Sequence, residues 1–267
     1  MTVSQSEVST LVQAILDRAP SYEANGKTYY VLERCISVEA GNLQAYAEAT
    51  LAPVDHQNDG EMPLELIGAT VNGKLMRWKT DMKLNWWLDA STFPSTEHAE
   101  NGLNFTEQAA GAWNEVAEAG GLDIRFNRVD SESDSLFKVA YEAFDNPGLY
   151  AVAFFPHEPA WGRVVRLGPA MYCELATFDP VGVMRHELGH VLGFRHEHIR
   201  PEAPEQIEPW VVGEIGAEEL SAYDRRSVMH YPMGDAGTND FKLTEHDQKG
   251  FIKLYTLAQN SVEEFEA

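Results

Sequence analysis

The segment that most constrains this chain runs from Asp179 to Arg200 and reads DPVGVMRHELGHVLGFRHEHIR. Asp179 can cap a helix whose first position is Pro180, where the missing amide donor costs nothing. His186 and His190 are four residues apart, so they lie on one face of that helix and their rings can converge on one ion. Glu187 follows the first histidine, where its carboxylate can reach a metal-bound water without being a ligand. The helix therefore carries two metal ligands, whose relative position is set by helix geometry, and a candidate general base.

The residues after this helix bring a third imidazole to the same point. Gly193 can adopt the left-handed conformation that ends a helix, and the resulting turn brings His196 back towards the metal. Three neutral imidazoles with an open fourth position are typical of a catalytic zinc site. A lone H-E-x-x-H arises by chance in roughly one chain in a hundred, and requiring Gly193 and His196 lowers that several hundredfold, which disfavours an ordinary buried helix. The sequence thus predicts one catalytic Zn²⁺ held by His186, His190 and His196.

These motifs resemble a known family. HELGHVLGFRH fits the metzincin signature H-E-x-x-H-x-x-G-x-x-H, which requires a methionine-containing turn downstream. SVMHY at 227–231 supplies that turn, and together with the extension HEHIR it is similar to the astacin branch. The resemblance covers about residues 76–258 and ends with LTEHDQKGFIKLY, which looks like the last helix of the family. It implies an α+β protease domain with a twisted mixed β-sheet, an active-site helix, the methionine turn and a C-terminal helix.

The resemblance also implies roles for residues outside the active-site helix. Met229 would form the hydrophobic floor beneath the zinc, and Tyr231 would ligate zinc at rest and swing away to stabilise the oxyanion. Glu197 resembles the family glutamate that anchors the amino terminus of the mature enzyme. GLYAVAFFP at 148–156 looks instead like the edge strand of matrixins, against which the substrate backbone pairs. Val152 stands where matrixins have a structural-zinc histidine, so we expect no second zinc site there.

Periodicity and turn residues organise the rest of the chain. Before residue 75 they predict helices over 1–20 and 43–51, a strand over 27–36, and a loop or interdomain connection at 54–63. After it they predict a helix over 105–119, capped by Asn104, packed on a sheet of short strands at 83–88, 123–129, 136–142, 149–155 and 163–167. We therefore expect a small amino-terminal α/β segment that is pro-like or accessory (1–75), a catalytic domain (76–258) and a frayed acidic tail (259–267).

Cys35 in the amino-terminal segment is a candidate latency switch. Its thiolate could occupy the open zinc position and hold the enzyme latent, as a zymogen. Several alternatives stay open: an ordinary buried thiol, an inhibitory carboxylate from Asp59 or Glu61, and a disulfide between Cys35 and Cys173. The segment could equally be a folding aid or a docking module.

The charge of the chain restricts its partners. Lysine and arginine total 20 against 42 aspartate and glutamate, and the net charge of −22 argues against nucleic acids and anionic membranes. No apolar run approaches the length of a membrane span, and the amino terminus lacks the pattern of a signal peptide. We expect a monomer that acts on protein or peptide substrates, and the family resemblance favours a secreted, extracellular protein although no leader is visible.

The predicted activity is that of a zinc endopeptidase. Glu187 would act as general base towards a metal-activated water that attacks the peptide carbonyl, and Tyr231 would help to stabilise the oxyanion. One alternative is a latent or non-cleaving zinc-containing module for binding or regulation, which would retain zinc without turnover. The other is an intracellular regulatory or assembly protein whose function resides in residues 1–75, which a deletion of those residues would test.

Overall fold

The computed structural model describes residues 4–32, 34–52, 66–174, 176–200, 202–203, 217–219, 222–232 and 234–267. The predicted loop at 54–63 and the two candidate inhibitory carboxylates, Asp59 and Glu61, lie outside the described residues.

The amino-terminal segment folds into two helices and a three-stranded antiparallel sheet. These elements are α1 (Gln5–Arg18), β1 (Ser21–Ala24), β2 (Lys27–Leu32), β3 (Ile36–Glu39) and α2 (Leu43–Leu51). Both predicted helices are confirmed, and a capping box between Ser4 and Glu7 starts the first. The prediction of one strand over 27–36 is wrong, because the chain turns at Arg34, where φ is +68°. Cys35 lies in this turn.

A β-hairpin follows, formed by β4 (Ile67–Val71) and β5 (Lys74–Trp78). Val71 and Met76 of this hairpin share one apolar cluster with Ile15 of α1 and Leu32 of β2. Residue 75, where the sequence suggests a soft domain boundary, lies inside β5. The division of the chain at that point stays a prediction.

The largest sheet has five strands and contributes to the main hydrophobic core. In chain order the elements are β6 (Lys83–Leu88), α3 (Thr96–Ala119), β7 (Arg125–Arg128), β8 (Phe137–Tyr141), β9 (Ala151–Val152), β10 (Val164–Leu167) and α4 (Pro180–Val191). The strand order is β7-β6-β8-β10-β9, with parallel pairs throughout except for the antiparallel edge strand β9. α3 and α4 pack together, and their buried apolar faces join one core with the inner face of this sheet. This arrangement confirms the predicted α+β class.

α3 starts nine residues earlier than predicted, so the cap assigned to Asn104 is wrong. Ser95 is the N-cap, and its hydroxyl accepts the amide of His98. The polar first half of the helix contains Gly102, which lowers its apparent helical propensity. A glycine is needed there because a Cβ would lie 2.8 Å from the ring of Phe93.

The chain ends with β11 (Ala217–Glu219), α5 (Glu245–Thr256) and β12 (Val262–Phe265). β11 pairs with β4, and β12 pairs in parallel with β5, which gives a second mixed sheet of order β11-β4-β5-β12. The prediction of a frayed acidic tail is therefore wrong. The buried guanidinium of Arg77 binds the Glu264 carboxylate at 2.7 Å and the carbonyl oxygen of Leu254 at 2.8 Å, which fixes the tail. Among the described residues, no helix is both long and apolar enough to cross a membrane.

Candidate metal centre

The two helical histidines are positioned by the cap and the end of α4. The carboxylate of Asp179 accepts the amide of Val181 at 3.2 Å, so the predicted cap is confirmed. At the other end Gly193 has φ of +105°, and a Cβ there would lie 2.6 Å from the carbonyl oxygen of Met76. Only glycine tolerates both conditions. The turn that brings His196 back to α4 therefore depends on this residue.

The hairpin strand β4 holds this turn by backbone hydrogen bonds. The amide of Ala69 donates to the carbonyl of Gly193 at 2.7 Å, and the amide of Arg195 donates to the carbonyl of Ile67 at 2.9 Å. Arg195, the residue directly before His196, is thus hydrogen-bonded to β4, which lies outside the zinc-binding motif.

The three predicted ligands converge. The Nε2 atoms of His186 and His196 are 3.0 Å apart, and each lies within 3.2 Å of Nε2 of His190. Ligands about 2.0–2.1 Å from a common tetrahedral centre are about 3.3 Å from one another. All three imidazoles are buried. The spacing of the donor atoms fits a zinc ion.

Hydrogen bonds and burial prepare the imidazoles for metal binding. Nδ1 of His186 donates to the carbonyl of Val228 at 2.8 Å, and Nδ1 of His190 donates to the carbonyl of Phe194 at 2.7 Å, which directs both Nε2 lone pairs to the centre. Burial lowers the pKa of His186 to about 4 and the pKa of His196 well below its ordinary value. The rings of His186 and His196 are therefore neutral, which is the form that binds a metal.

Cys35 lies at the fourth position of this centre. Its Sγ is 3.1 Å from Nε2 of His190, 3.1 Å from Nε2 of His196 and 3.7 Å from Nε2 of His186. The four donor atoms form a fully buried group of metal-ligating type. Cys173 is exposed and Cys35 is buried, and neither takes part in a disulfide, so the alternative of a disulfide between them is not formed.

The backbone around Cys35 pairs with the end of the predicted edge strand. The amide of Ala153 donates to the carbonyl of Cys35 at 2.8 Å, and the amide of Ser37 donates to the carbonyl of Ala153 at 3.1 Å. The two segments run parallel at this bridge. Val152, where no second zinc site is expected, is buried against Val31 of the amino-terminal segment. The edge position predicted for substrate is thus occupied by the chain itself.

Glu187 and Tyr231 flank the three imidazoles. Glu187 is buried, and its Oε2 has no hydrogen-bond partner among the described residues. Burial raises the pKa of Glu187 well above its ordinary value. The ring of Tyr231 stacks on His186 with centroids 5.2 Å apart and lies 4.7 Å from the ring of His196. Tyr231 therefore lies beside two of the imidazoles, and Glu187 lines the same cavity as His186.

The methionine turn contacts α4 closely. Met229 is fully buried, and a Cβ on Gly189 of α4 would clash with its sulfur. His198 stacks on His196 with centroids 4.5 Å apart, and His230 accepts or donates a hydrogen bond with the hydroxyl of Tyr223 at 2.8 Å. The resemblance assigned Glu197 to a new amino terminus. In this chain Glu197 is buried against Arg200, with Nε to Oε1 at 2.8 Å.

Asp247 is the residue that sequence reasoning missed. Its buried carboxylate accepts three hydrogen bonds, from the hydroxyl of Ser227 at 2.6 Å and from the amides of Val228 and Thr244 at 2.8 Å each. Since Val228 also accepts the bond from His186, one carboxylate on α5 links the methionine turn to a ligand. The T-x-x-D pattern at 244–247 is the sequence signal of its capping role, but nothing in that pattern indicates the contact with the turn.

Comparisons with known proteins agree with the motif. No family model matches the chain. The chain is 35% identical over 126 residues to zinc metalloproteinase nas-38 of Caenorhabditis elegans, which covers 40% of this chain and 17% of that protein. It is 40% identical over 67 residues to tolloid-like protein 2 of Homo sapiens, covering 20% of this chain and 7% of that protein. The chain thus spans under a fifth of the length of these relatives.

Among solved structures, the chain is similar to myroilysin with a TM-score of 0.48 and 19% identity, over 68% of this chain and 96% of that one. The sequence matches confirm the resemblance to astacin-like zinc metalloproteinases that the motifs indicate.

Proposed function

We propose that this chain is a zinc-dependent endopeptidase of the astacin-like metzincin type, made in a latent form in which Cys35 blocks the metal. One observation carries the proposal: three buried Nε2 atoms converge at 3.0–3.2 Å from one another, next to a carboxylate that has an oxygen without a partner among the described residues. A closed structural site needs no such carboxylate.

The residues divide the chemistry between them. His186, His190 and His196 would hold Zn²⁺, which when bound would supply a Lewis acid for the peptide carbonyl and an acidified water. Glu187 would accept a proton from the attacking water and donate it to the leaving amine. Tyr231, whose ring lies beside two of the ligands, would donate a hydrogen bond from its hydroxyl to the oxygen on which charge develops. Removal of such a donor costs on the order of 2.7–4 kcal/mol of transition-state stabilisation.

The edge strand would bind the substrate backbone. Ala153 offers both its amide and its carbonyl to the residues around Cys35. Once that segment leaves, the same two groups can pair with an extended peptide. Protein or peptide substrates, and a location outside the cell, are part of this proposal.

Hydrolysis of denatured casein tests the activity. For the chain with Cys35→Ala we expect cleavage that a chelator abolishes, about one zinc per chain, and loss of cleavage with retained zinc when Glu187→Ala is added. Zinc without cleavage in any form of the chain would favour the binding or regulatory module. Absence of zinc would refute the proposal.

Comparison of two cysteine variants tests the latency. Cys35→Ala should be active without proteolytic trimming, because it removes the thiol from the fourth position. Cys173→Ala is the matched control, since it removes an exposed free thiol and should stay latent. Equal activity of the wild-type chain and Cys35→Ala would rule out the thiol as the block.

A further inference from the structure

The outer face of the main sheet carries a buried arginine next to the edge strand. Val165 and Leu167 of β10 belong to the main hydrophobic core, so Arg166 between them points to the opposite face of the sheet. The Arg166 side chain is only 3% exposed. Its Nε lies 3.7 Å from Oε2 of Glu142, which is longer than a hydrogen bond, and that carboxylate is partly exposed. This ion pair therefore does not account for the burial of the guanidinium.

The amino-terminal segment covers this guanidinium with two tyrosine rings. Cζ of Arg166 lies 4.8 Å from the ring centroid of Tyr29 and 5.9 Å from that of Tyr22. The two tyrosines are paired directly across β1 and β2, and their rings stack with centroids 5.3 Å apart. A guanidinium is planar and weakly hydrated, so aromatic faces can replace its water. Arg166, Tyr22 and Tyr29 together form what we name the arginine clasp.

Apolar side chains surround the arginine clasp. Val31 of β2 shares a buried cluster with Phe144 and Val152. The ring of Tyr22 meets the ring of Phe144 edge-on, with centroids 5.1 Å apart. Val152 of β9 is the register partner of Arg166, so the cluster and the clasp lie on one face of the sheet. The segment therefore covers a surface that would otherwise expose large apolar side chains and a guanidinium to water.

A second cation–π contact lies at the rim of this surface and is more exposed. Nζ of Lys27, at the start of β2, lies 3.8 Å from the ring centroid of Trp161 and pairs with the Glu39 carboxylate at 2.8 Å. The Lys27 side chain is 43% exposed, and Trp161 is 48% exposed. Cation–π contacts gain strength when they are desolvated. The buried clasp should therefore contribute more to the binding of the segment than the contact at the rim.

The clasp acts on the thiol through the three-stranded sheet of the segment. Cys35 lies in the turn between β2 and β3, and the hydroxyl of Tyr22 is 2.6 Å from Oγ of Ser37 in β3. As long as the clasp is closed, this sheet keeps the thiol at a high local concentration next to the imidazoles. That effect requires no covalent connection between the segment and the rest of the chain.

We propose that the arginine clasp anchors the amino-terminal segment, residues 4–52, on the outer face of the main sheet after the chain has been cut, so that the cut chain stays latent until the clasp opens. The occupant of this surface is thus the chain's own segment, held by paired aromatic rings and not by the thiol alone. The inference rests on the proposed peptidase function and names its regulation. Activity after a cut depends on dilution, because it requires dissociation of the segment.

Retention of the segment after a cut tests this inference without a measurement of peptidase activity. A recognition sequence for a site-specific protease is placed between Ala52 and Leu66 of the full, zinc-loaded chain, and Glu187→Ala is added to prevent self-digestion. The cut protein is then analysed by gel filtration over a range of concentrations. We expect the segment to co-elute with the rest of the chain at micromolar concentration, both with Cys35 and in Cys35→Ala. Arg166→Gln should raise the dissociation constant roughly tenfold or more in both backgrounds.

Further variants separate the clasp from general damage to the fold. Arg128→Gln is the matched control, because Arg128 lies on β7 at the opposite edge of the same sheet and its side chain is 46% exposed; the dissociation constant should not change. Tyr29→Leu opens the clasp from the side of the segment, so the inference stays testable if Arg166→Gln does not fold. In the double variant the two effects should be clearly less than additive, because both changes remove the same contact. Lys27→Met should have a smaller effect than Arg166→Gln.

Complete separation of the cut Cys35→Ala chain at micromolar concentration would show that the thiol alone holds the segment, and would overturn this inference. An unchanged dissociation constant in both Arg166→Gln and Tyr29→Leu, or fully additive effects in the double variant, would also overturn it. In chains that keep Glu187, the specific activity of the cut protein should rise on dilution and should be higher in Arg166→Gln at equal concentration. Absence of activity in every form would contradict the peptidase function instead, while the retention measurement would still decide about the clasp.

Discussion

Replacement of Asp247 by asparagine should weaken zinc binding while leaving the stability of the fold nearly unchanged. The carboxylate accepts hydrogen bonds from the Ser227 hydroxyl and from the amides of Val228 and Thr244. An asparagine has one acceptor oxygen and one donor group at the same positions. The oxygen can serve the two amides, but the new amide group then meets the oxygen of Ser227, whose proton needs another acceptor.

The stability change is the difference of two effects of similar size. Loss of one hydrogen bond to a charged acceptor costs about 1.5–3 kcal/mol. Against this, burial raises the pKa of Asp247 to about 6, from 3.8 in the unfolded chain. The raised value means that stability is lost as pH rises from 3.8 through 6, by up to about 3 kcal/mol, and asparagine avoids that loss. At neutral pH we expect the free energy of unfolding to change by less than about 1.5 kcal/mol.

Zinc affinity responds differently, because asparagine loses the hydrogen bond from the Ser227 hydroxyl, and Ser227 directly precedes Val228 in the methionine turn. The carbonyl of Val228 orients His186 at 2.8 Å, and a shift of that peptide moves the ligand. Loss of a group that orients a metal ligand typically costs 10–100-fold in affinity. We therefore expect the zinc dissociation constant, measured by competition with a chelator, to rise by roughly tenfold in Asp247→Asn. The absorption spectrum of the cobalt-substituted protein should shift as well.

Thr244→Ala is the matched control. The Thr244 side chain caps the same helix, and its hydrogen bonds among the described residues go to Asp247 and Asp224, so its loss should cost about 1 kcal/mol of stability and leave zinc affinity unchanged. If zinc affinity instead follows stability in both variants, the carboxylate is only a structural cap and the reasoning fails. An unchanged dissociation constant in Asp247→Asn would refute it directly.

Three further predictions concern the fold around the site. Gly193→Ala should lower the free energy of unfolding by several kcal/mol and abolish zinc binding, because φ is +105° and the new Cβ would clash with the carbonyl oxygen of Met76. Chemical denaturation measures the first effect and metal analysis the second. A chain that begins at Leu66 should fold, bind zinc and lack latency, whereas one that begins at Lys79 should lose zinc, because it lacks the hairpin; zinc retention in the shorter chain would contradict this. Burial raises the pKa of Glu158 to about 7 from 4.5, so this residue should lower stability by about 3 kcal/mol as pH rises from 4.5 to 7.5. Glu158→Gln should therefore reduce the pH dependence of urea unfolding by about that amount, and a pH dependence equal to that of the wild-type chain would contradict it.

The donor set could be predicted from the sequence because it is local. His186 and His190 are related by one helical turn, and Gly193 has one conformation that ends the helix there. The same holds for the cap of α4 and for the short strands of the main sheet, whose periodicity is visible in the residues themselves. Local signals therefore predicted the ligands, the base and the fold class.

The parts that could not be predicted are the long-range ones. Asp247 reads as an ordinary cap, and its contact with Val228, 19 residues earlier in the chain, depends on how two elements pack. The acidic tail reads as solvated, yet its carboxylate at Glu264 pairs with a buried Arg77 that is 187 residues away. Hydrophobic periodicity carries no information about such partners, so tertiary packing overrode the local prediction.

The hairpin β4–β5 limits how a latent chain of this kind can be activated. Its backbone holds Gly193 and Arg195, on which the position of the third ligand depends, and its apolar side chains also pack against α1 and β2. If the segment that carries Cys35 is to leave, the chain has to be cut between the end of α2 and Ile67, so that the hairpin remains with the metal centre. The amino-terminal helices would then separate from an apolar surface that they shared with Val71 and Met76. A cut alone would leave that contact in place, so release of the thiol from the metal centre and separation of the segment should be distinct steps, resolved by measuring activity and size-exclusion elution after cleavage.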